Sequence, residues 1–395
     1  MTKSPLNKVL FISHEASRSG APIVLLHLIK WIKINTSLQF EILLLADGPL
    51  KPDFERLGET FVLSKLIRQH TYGARIKKKL LKITLNDEYK KAAAWLSKRK
   101  YKLVYGNTIV SLPWLTIFKE NHAVKTLCCI HELSYALNYF FTDAYIEENL
   151  RLTDSIIAVS GAVKEHLVDL LHLQAEKIKL HYEFIDTDLV PAAMDEHLAG
   201  FGVKPGEFVI GGGGTPSWRK GTDLLIPLTL KLIKLYPDFK FKVVWLGADA
   251  GNEFVKQLVY DANKCNIGDK ILFIPAKSDP VNYLNLFDIF VLLSREDPFP
   301  LIALEAAFLK KPLIAFENSG GIPEFVIQGA GLLAPYLNTT KVAKLVYQLS
   351  LDNDLAKKMG LKGNELVVTQ HNTETAAPGI YNQISNLINP ALANN

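Results

Sequence analysis

Two carboxylates lie eight residues apart around a short proline-rich turn. Asp297 precedes Pro298-Phe299-Pro300, and Glu305 lies in the apolar run that begins at Leu301. The apolar residues 289–293 are typical of a buried parallel strand, and the prolines favour a helix start after it. Carboxylates at the C-terminal edge of such a strand can bind ligand hydroxyls, and a helix N-terminus attracts an anion such as a diphosphate. An ordinary loop with solvated acids explains the same spacing.

A second candidate anion site follows the strand-like residues 209–213. Gly214 and Thr215 lead through Arg219-Lys220-Gly221 to an apolar helix that we expect to begin near Asp223. Glycine lets the backbone approach a phosphate, and lysine neutralises charge on a diphosphate leaving group. A glycine-rich turn with a solvated Arg-Lys pair is the alternative. The segment does not match the dinucleotide fingerprint, because no Gly-x-Gly-x-x-Gly falls between the strand and the helix.

Strand-like segments of the N-terminal half also end in polar or small residues. An imidazole or a carboxylate there can bind sugar hydroxyls, and an amide can both donate and accept. A structural role is the alternative for each, since Pro22 suits the first turn of a helix without any ligand. The segments are 8–13, followed by Ser19-Gly20-Ala21; 103–105, followed by Asn107; and 124–130, followed by His131 and Glu132.

These segments resemble family 4 glycosyltransferases, retaining enzymes of the GT-B fold whose signature pairs two acids as Glu-x7-Glu. The chain carries an Asp-Pro-Phe-Pro variant of that signature, with Asp297 as the first acid and Glu305 as the second. The resemblance implies that Asp297 contacts the donor sugar and that Glu305 holds the nucleotide ribose. Pro300 replaces a glycine of the family, so one backbone donor toward the sugar is absent.

The resemblance extends along almost the whole chain and assigns further roles. Lys220 corresponds to the lysine that binds the diphosphate; Thr215 stands where the family has an arginine, so Arg219 is the expected substitute cation. His131 resembles the histidine that faces the sugar. The nucleotide and diphosphate residues are then Glu305, Gly214, Thr215, Pro275, Phe299, Pro300 and Leu301; the donor-sugar loops contain Gly20, Ala21, Gly320 and Gly321; and Glu132 and Asn107 lie on the acceptor side.

Length and element order predict the fold class. A chain of 395 residues is too long for one hydrophobic core. Alternating strand and helix patterns predict an α/β protein, and the resemblance implies GT-B, with two Rossmann-like doubly wound parallel-sheet domains facing across a cleft. The expected boundaries are 1–187 for the N-terminal acceptor-side domain, 188–206 for a linker, 207–374 for the nucleotide-sugar domain, and 375–395 for a helix that crosses back to the first domain.

Composition excludes several classes of protein. Apolar residues make up 48% and charged residues 22%, as in soluble globular enzymes. No run of eighteen apolar residues predicts a membrane span, and the start leads directly into a strand, so we expect no secretory signal. Three cysteines, two of them adjacent at 128 and 129, predict neither a disulfide framework nor a zinc site. A cytoplasmic location follows as an expectation.

One segment is strongly basic. Between Lys65 and Lys102 there are thirteen lysines and arginines against two acids, a net +11 in a chain whose total is +5. Such a segment suits the anionic inner face of a membrane, so a peripheral position there is a further expectation. Nucleic acid is not expected as a partner, because no recognition motif accompanies the charge. The alternative is that these residues form the solvated face of a helix without a binding role.

The predicted function is transfer of a hexosyl or deoxyhexosyl group from a nucleotide diphosphate sugar to a glycan or lipid-linked acceptor, with retention, in surface polysaccharide assembly. We expect no cofactor and no metal; Asp186-Thr187-Asp188 resembles an Asp-x-Asp metal motif, but its position suits a connection between domains. A non-catalytic GT-B partner or scaffold is the alternative, which the changes at Thr215 and Pro300 allow. A nicotinamide-dependent enzyme is disfavoured by the missing fingerprint.

Overall fold

The computed structural model describes residues 8–70, 81–122, 124–170, 172–188 and 202–389. The chain divides into two compact units. The first unit runs to Glu183 and resumes at Thr373, and the second comprises Phe184–Asn372. The C-terminal helix Thr373–Ile388 is therefore grouped with the N-terminal residues.

The first unit contains a parallel sheet of seven strands. In chain order they are β1 (Lys8–Ser13), β2 (Gln39–Leu44), β3 (Thr60–Val62), β4 (Leu103–Asn107), β5 (Lys125–Ile130), β6 (Ser155–Ala158) and β7 (Ile178–Leu180). Their order across the sheet is β3-β2-β1-β4-β5-β6-β7. The chain thus starts in the middle and winds outward in both directions, as in doubly wound folds.

Helices connect these strands, as parallel pairing requires. They are α1 (Gly20–Asn35), α2 (Lys51–Leu57), α3 (Leu63–His70), α4 (Leu81–Ser97), α5 (Leu112–His122), α6 (Ser134–Phe140), α7 (Asp143–Leu152) and α8 (Gly161–Glu165). Ser160 caps α8 by accepting a hydrogen bond from the backbone N–H of Val163, which satisfies one of the unpaired donors at the helix start.

The second unit contains a parallel sheet of six strands. They are β8 (Phe208–Gly213), β9 (Phe241–Leu246), β10 (Ile271–Ile274), β11 (Ile289–Leu292), β12 (Leu313–Phe316) and β13 (Gly331–Ala334). The order across the sheet is β10-β9-β8-β11-β12-β13, which again reverses direction beside the first strand. The prediction of two doubly wound parallel sheets is therefore confirmed.

The helices of the second unit follow the same alternation. They are α9 (Leu225–Leu235), α10 (Glu253–Lys264), α11 (Pro280–Leu284), α12 (Leu301–Phe308), α13 (Ile322–Phe325), α14 (Thr339–Leu351) and α15 (Asn353–Gln370). All four residues of β11 are buried, so the strand is covered on both faces as its apolar sequence predicts.

Gly211, Gly212 and Gly213 belong to strand β8, as the strand-like pattern of residues 209–213 predicted. A Cβ atom at Gly211 would lie 1.8 Å from the ring of Phe287, and one at Gly213 would lie 2.4 Å from Ile302. These glycines make room for neighbouring side chains in the core. The loop itself begins at Gly214, which has a φ of 118°.

The centre of the basic segment, residues 71–80 with Lys77, Lys78 and Lys79, lies outside the described residues. Arg99, which follows α4, is paired with acids of the first unit. Its Nε and Nη2 donate to Glu41 at 2.6 and 2.5 Å, and Nη2 also donates to Glu59. Part of the predicted positive charge is therefore neutralised within the first unit.

None of the helices in the described ranges combines the length and the apolar content that crossing a bilayer requires.

Candidate functional site

Three loops of the second unit meet at the carboxyl edge of its sheet, after the neighbouring strands β8, β11 and β12. The backbone N–H of Asp297 donates to Ser319 O at 2.7 Å, and the N–H of Gly321 donates to Asp297 O at 3.1 Å. The N–H of Arg295 donates to Arg219 O at 2.8 Å. The loop that carries the first acid is thus bonded on one side to the cation loop and on the other to the glycine turn.

The Asp297 carboxylate lies at the centre of this edge and is 3% exposed. Lys220 Nζ lies 2.5 Å from its Oδ2, Arg219 Nη1 lies 3.7 Å from its Oδ1, and Ser294 Oγ donates to Oδ2 at 3.0 Å. Burial alone opposes ionisation, but Lys220 and Arg219 outweigh it and hold the pKa of Asp297 below its usual value. Two cations therefore share one carboxylate, which leaves a net positive charge for an anionic ligand.

The backbone at Gly221 fixes the position of this cation loop. Gly221 has a φ of 66°, in the left-handed region that favours glycine. A Cβ atom there would lie 1.8 Å from the carbonyl oxygen of Leu293, directly after β11. The loop with Lys220 can approach the strand end this closely only because residue 221 has no side chain.

The second acid, Glu305, lies on α12 and is partly buried. No hydrogen bond or ion pair joins its carboxylate to any other described residue, and burial raises the pKa of Glu305 to about 7. A desolvated carboxylate without a protein donor is unfavourable in the ligand-free state. A ligand hydroxyl that donates to the carboxylate would remove this penalty.

The turn between the acids leads directly into α12. Pro300 is the residue before α12 and provides no side-chain cap. The N–H of Ala303 donates to Pro300 O at 3.1 Å, and among the described residues no backbone carbonyl accepts from the N–H groups of Leu301 and Ile302, which can therefore face an anion. The Phe299 ring, however, stacks on His371 with centroids 5.2 Å apart and is buried, and Leu301 is also buried. Only backbone atoms of these two residues can therefore serve a nucleotide, since their side chains belong to the core.

The remaining predicted residues of the second unit lie at the same edge, with differing exposure. Thr215 is exposed directly after Gly214, and Pro275 is exposed directly after β10, two strands away from β8. Gly320 has a φ of 117° in the turn after β12. The N–H of its neighbour Gly321 is already bonded to Asp297 O, so this glycine orders the acid loop.

A second polar cluster lies in the first unit, around His131 after β5. His131 Nδ1 lies 2.6 Å from Glu183 Oε1, and Nε2 lies 3.0 Å from Asn107 Oδ1. The Asn107 amide nitrogen donates to Ala21 O at 2.9 Å, so its Oδ1 must accept from Nε2. Burial alone lowers the pKa of His131, but Cys129 and Glu183 raise it well above its usual value. A cationic imidazole that donates from both nitrogens satisfies this geometry.

This cluster changes what was expected of two residues. Both ring nitrogens of His131 are engaged and its side chain is only 7% exposed. Asn107, expected to offer its amide to an acceptor hydroxyl, is 1% exposed and uses both ends of that amide within the protein. A sugar hydroxyl reaches His131 Nε2 only by displacing Asn107 Oδ1, because the ring has no other polar atom.

Glu132 and the Gly20-Ala21 segment also have local structural contacts. The Glu132 carboxylate accepts from the N–H of His131 at 2.8 Å and from the N–H of Ile109 at 3.3 Å. Burial raises the pKa of Glu132 to about 7. Gly20 and Ala21 form the first turn of α1 rather than a loop before it, because Pro22 is tolerated where helical N–H groups have no partner anyway.

Sequence reasoning missed several residues at these sites. Ser294 and Arg295 stand beside Asp297 in the chain, and Asp223 and Trp218 stand beside Lys220, but nothing in their spacing joins the two groups. Glu183 lies 52 residues from His131, its partner. Only the parallel strand order brings such pairs together, so no local pattern could have identified them.

Solved structures share this fold. Anabaena HepE, solved in complex with UDP-glucose, matches with a TM-score of 0.79 over 96% of this chain and 99% of that chain, at 20% sequence identity. WaaG, described as a glycosyltransferase involved in lipopolysaccharide biosynthesis, matches with a TM-score of 0.73 over 96% of this chain and 99% of that chain, at 12% identity. Together with the two parallel sheets, these matches show the GT-B fold, as predicted.

Family models then locate the domains within that fold. The model for glycosyl transferases group 1 matches residues 195–366, and the model for glycosyltransferase family 4 matches residues 36–189. Glycosyltransferase domains of both kinds are therefore present in this chain.

One curated relative is the N-acetyl-alpha-D-glucosaminyl L-malate synthase of Bacillus anthracis, 35% identical over 144 residues, which are 36% of this chain and 36% of that protein. The lipopolysaccharide core biosynthesis mannosyltransferase LpsB of Rhizobium meliloti is 27% identical over 183 residues, 46% of this chain and 50% of the relative. These alignments span half of each relative or less.

Proposed function

We propose that this chain is a retaining glycosyltransferase that moves a hexosyl or deoxyhexosyl group from a nucleoside diphosphate sugar to a glycan or lipid-linked acceptor in surface polysaccharide assembly. The observation that carries the proposal is the convergence of Lys220 and Arg219 on the buried Asp297 carboxylate. Two cations beside one acid suit a ligand with an anionic diphosphate and a neutral sugar. Relatives named as an N-acetyl-alpha-D-glucosaminyl L-malate synthase and a mannosyltransferase support the reaction class.

Each group has a chemical role in this proposal. The bond from the anomeric carbon to the diphosphate breaks, and Lys220 and Arg219 stabilise the charge that develops on the leaving group. The uncapped start of α12 adds backbone dipoles, Asp297 positions the sugar, and Glu305 accepts from the ribose. The acceptor oxygen attacks the same face, and its proton passes to the departing phosphate. The residues present supply the charge stabilisation, so we propose no metal and no cofactor.

Residues of the first unit are proposed for the remaining contacts. His131 would bind a donor-sugar hydroxyl from Nε2 once Asn107 Oδ1 gives way. Glu132 and Asn107 remain the proposed acceptor-side residues, and Gly20 and Ala21 the proposed donor-side turn.

Nucleotide and donor screening tests the proposal. UDP, GDP, ADP and dTDP and their sugars would be compared by thermal shift, since a ligand at a hundred times its dissociation constant stabilises by about 2.7 kcal/mol. Donor hydrolysis and transfer to lipid-linked acceptors would follow for the nucleotide that binds. Binding of a nucleotide without turnover of any donor would favour the non-catalytic scaffold. Thermal stabilisation by NAD and by none of the sugar nucleotides would instead favour a nicotinamide-dependent enzyme.

Asp297→Asn is expected to lower turnover without weakening nucleoside diphosphate binding. The amide keeps the shape of the side chain but removes the charge that the donor sugar and Lys220 both contact. Because Lys220 then loses its internal partner, the affinity for the nucleoside diphosphate should stay the same or rise. Steady-state kinetics and calorimetric titration of the same variant measure the two effects. A loss of nucleotide affinity with unchanged kcat would contradict the assignment of Asp297 to the sugar.

We also propose that the basic segment holds the protein at an anionic membrane surface. Lys90, Lys91 and Lys98 are exposed on α4 and just beyond it. Reversing all three to Glu is expected to weaken the binding constant for phosphatidylserine vesicles by at least about 10²-fold, because three attractions of about 1 kcal/mol each are lost and replaced by repulsion. Donor hydrolysis in solution should be unaffected.

The matched control for vesicle binding reverses Lys234, Lys357 and Lys358, which are exposed lysines of the second unit. Added salt should abolish the difference between the two triple variants, because exposed charges are screened. Equal vesicle binding by both at low salt would reject the membrane role of the segment.

A further inference from the structure

Arg295 connects the loop that carries Asp297 to the loop that carries Lys220. Its Nη1 and Nη2 donate to the two oxygens of Asp223 at 2.8 and 2.7 Å, and Nη1 also donates to Trp218 O at 2.6 Å. The guanidinium carbon lies 4.8 Å from the centre of the Trp218 ring. Only 10% of the Arg295 side chain is exposed. Four side-chain contacts thus join residues on both sides of Lys220 to the acid loop.

Arg219 makes the reverse connection. Its Nη1 donates to Glu296 O at 2.7 Å, and its backbone carbonyl accepts from the N–H of Arg295 at 2.8 Å. Each loop therefore contributes an arginine side chain that hydrogen-bonds to the other loop. We call Arg219, Arg295, Asp223 and Trp218 the crossed clamp. The clamp encloses Lys220 within a stretch of six residues, so the lysine has little freedom to move away from the acid loop.

We propose that Arg295 is a positioning residue, which holds Lys220 where the donor diphosphate needs it and binds no phosphate itself. Its three side-chain hydrogen bonds go to Asp223 and Trp218, and none goes to Asp297. Misplacing a group that must meet a ligand by about 1 Å can reduce its effect about 10²-fold. The inference rests on the proposed function, because it assigns Lys220 to a diphosphate.

The variant Asp223→Asn distinguishes positioning of Lys220 from a purely electrostatic effect on anion binding. Removal of a negative charge near an anion site should raise the affinity for a nucleoside diphosphate if electrostatics alone decides. If the clamp positions Lys220, the same change should instead raise the Kd about tenfold, because a charge-assisted fork is lost. The probe is whichever of UDP, GDP, ADP and dTDP stabilises the wild type most, with the matching nucleoside as reference. Affinity for the nucleoside should stay unchanged, since it has no phosphate.

Arg295→Lys and Arg295→Gln complete the comparison. Lysine keeps the charge but cannot form the two parallel hydrogen bonds to Asp223. The affinity of Arg295→Lys for the nucleoside diphosphate should therefore be as low as that of Arg295→Gln rather than equal to that of the wild type. In a Lys220→Met background, Arg295→Gln should have little further effect, because the residue acts through Lys220. Lys362→Ala, which removes an exposed ion pair with Glu365 on α15, is the matched control.

Positioning and a merely structural role predict different nucleotide affinities for these variants. Three results would overturn the positioning role. The first is an unchanged or higher affinity of folded Asp223→Asn for the nucleoside diphosphate, and the second is wild-type affinity in Arg295→Lys. The third is a loss of affinity in the double variant Arg295→Gln/Lys220→Met that equals the sum of the two single losses. Equal losses for nucleoside and nucleoside diphosphate would also overturn it, since the clamp would then be merely structural. A folded wild type that binds no nucleotide would overturn the proposed function and this inference together.

Discussion

Replacing Lys220 with methionine is expected to lower kcat for donor cleavage about 10²–10³-fold, the usual effect of losing one group that stabilises transition-state charge. Methionine extends as far as the Cε position of lysine and lacks the ammonium group, so the variant loses the charge and its hydrogen-bond donors while it keeps most of the apolar stem. Asp297 retains Arg219 and Ser294 as partners, so the variant should fold. Calorimetric titration with the nucleoside diphosphate should show a weaker Kd as well.

Two further variants make the Lys220 test specific. Lys220→Arg keeps a cation but changes its geometry, so it should recover only part of the rate. Lys234→Met removes an exposed lysine near the end of α9 and should leave the rate unchanged. Full activity in folded Lys220→Met would reject the diphosphate role.

Glu305→Gln is expected to stabilise the ligand-free protein at pH 8 and to weaken nucleotide binding. The pKa of Glu305 is raised to about 7 by burial, from 4.5. Between these values the folded state binds a proton that the unfolded state has released, so stability falls as pH rises from 4.5 to about 7 and then levels off. Glutamine has no charge to bury. At pH 8 the gain has an upper bound of about 3 kcal/mol, and near pH 4.5 it should vanish.

Thermal unfolding of Glu305→Gln at pH 4.5 and pH 8 measures that gain, and titration with the nucleoside diphosphate measures the loss of binding. We expect affinity to fall about tenfold or more, as for a lost hydrogen bond to a charged group. The wild-type affinity should also rise as pH passes through about 7, and this dependence should be absent in the variant. Glu365→Gln, at an exposed position on α15, should change neither quantity. A destabilised Glu305→Gln with intact binding would show that the carboxylate has an internal structural role.

Much of the second unit could be predicted from sequence because its signals are local. The apolar run 289–293, the prolines and the following apolar residues specify a buried strand, a turn and a helix, and β11 and α12 lie where those patterns place them. Asp297 consequently lies at the carboxyl edge of the sheet. Strand order in a doubly wound fold then determines that the loops after β8 and β12 are its neighbours.

Side-chain partners could not be predicted, because they depend on contacts between distant parts of the chain. The pairing of Asp223 with Arg295 spans 72 residues. The engagement of His131 by Glu183 and Asn107 arises likewise from three separate strand ends. The need for glycine at 211 and 213 depends on such contacts as well, since their neighbours Phe287 and Ile302 leave no room for a side chain on that strand.

The ion pair between Lys220 and Asp297 has a kinetic consequence. If Lys220 binds the donor diphosphate as proposed, it would exchange one anion for another when the donor arrives, so entry of the diphosphate would not be opposed by dehydration of a bare ammonium group. After transfer, the same carboxylate can recapture the lysine and displace the spent nucleotide. The pair would therefore shorten the residence time of the product, and turnover would be limited less by its departure than by the arrival of the acceptor.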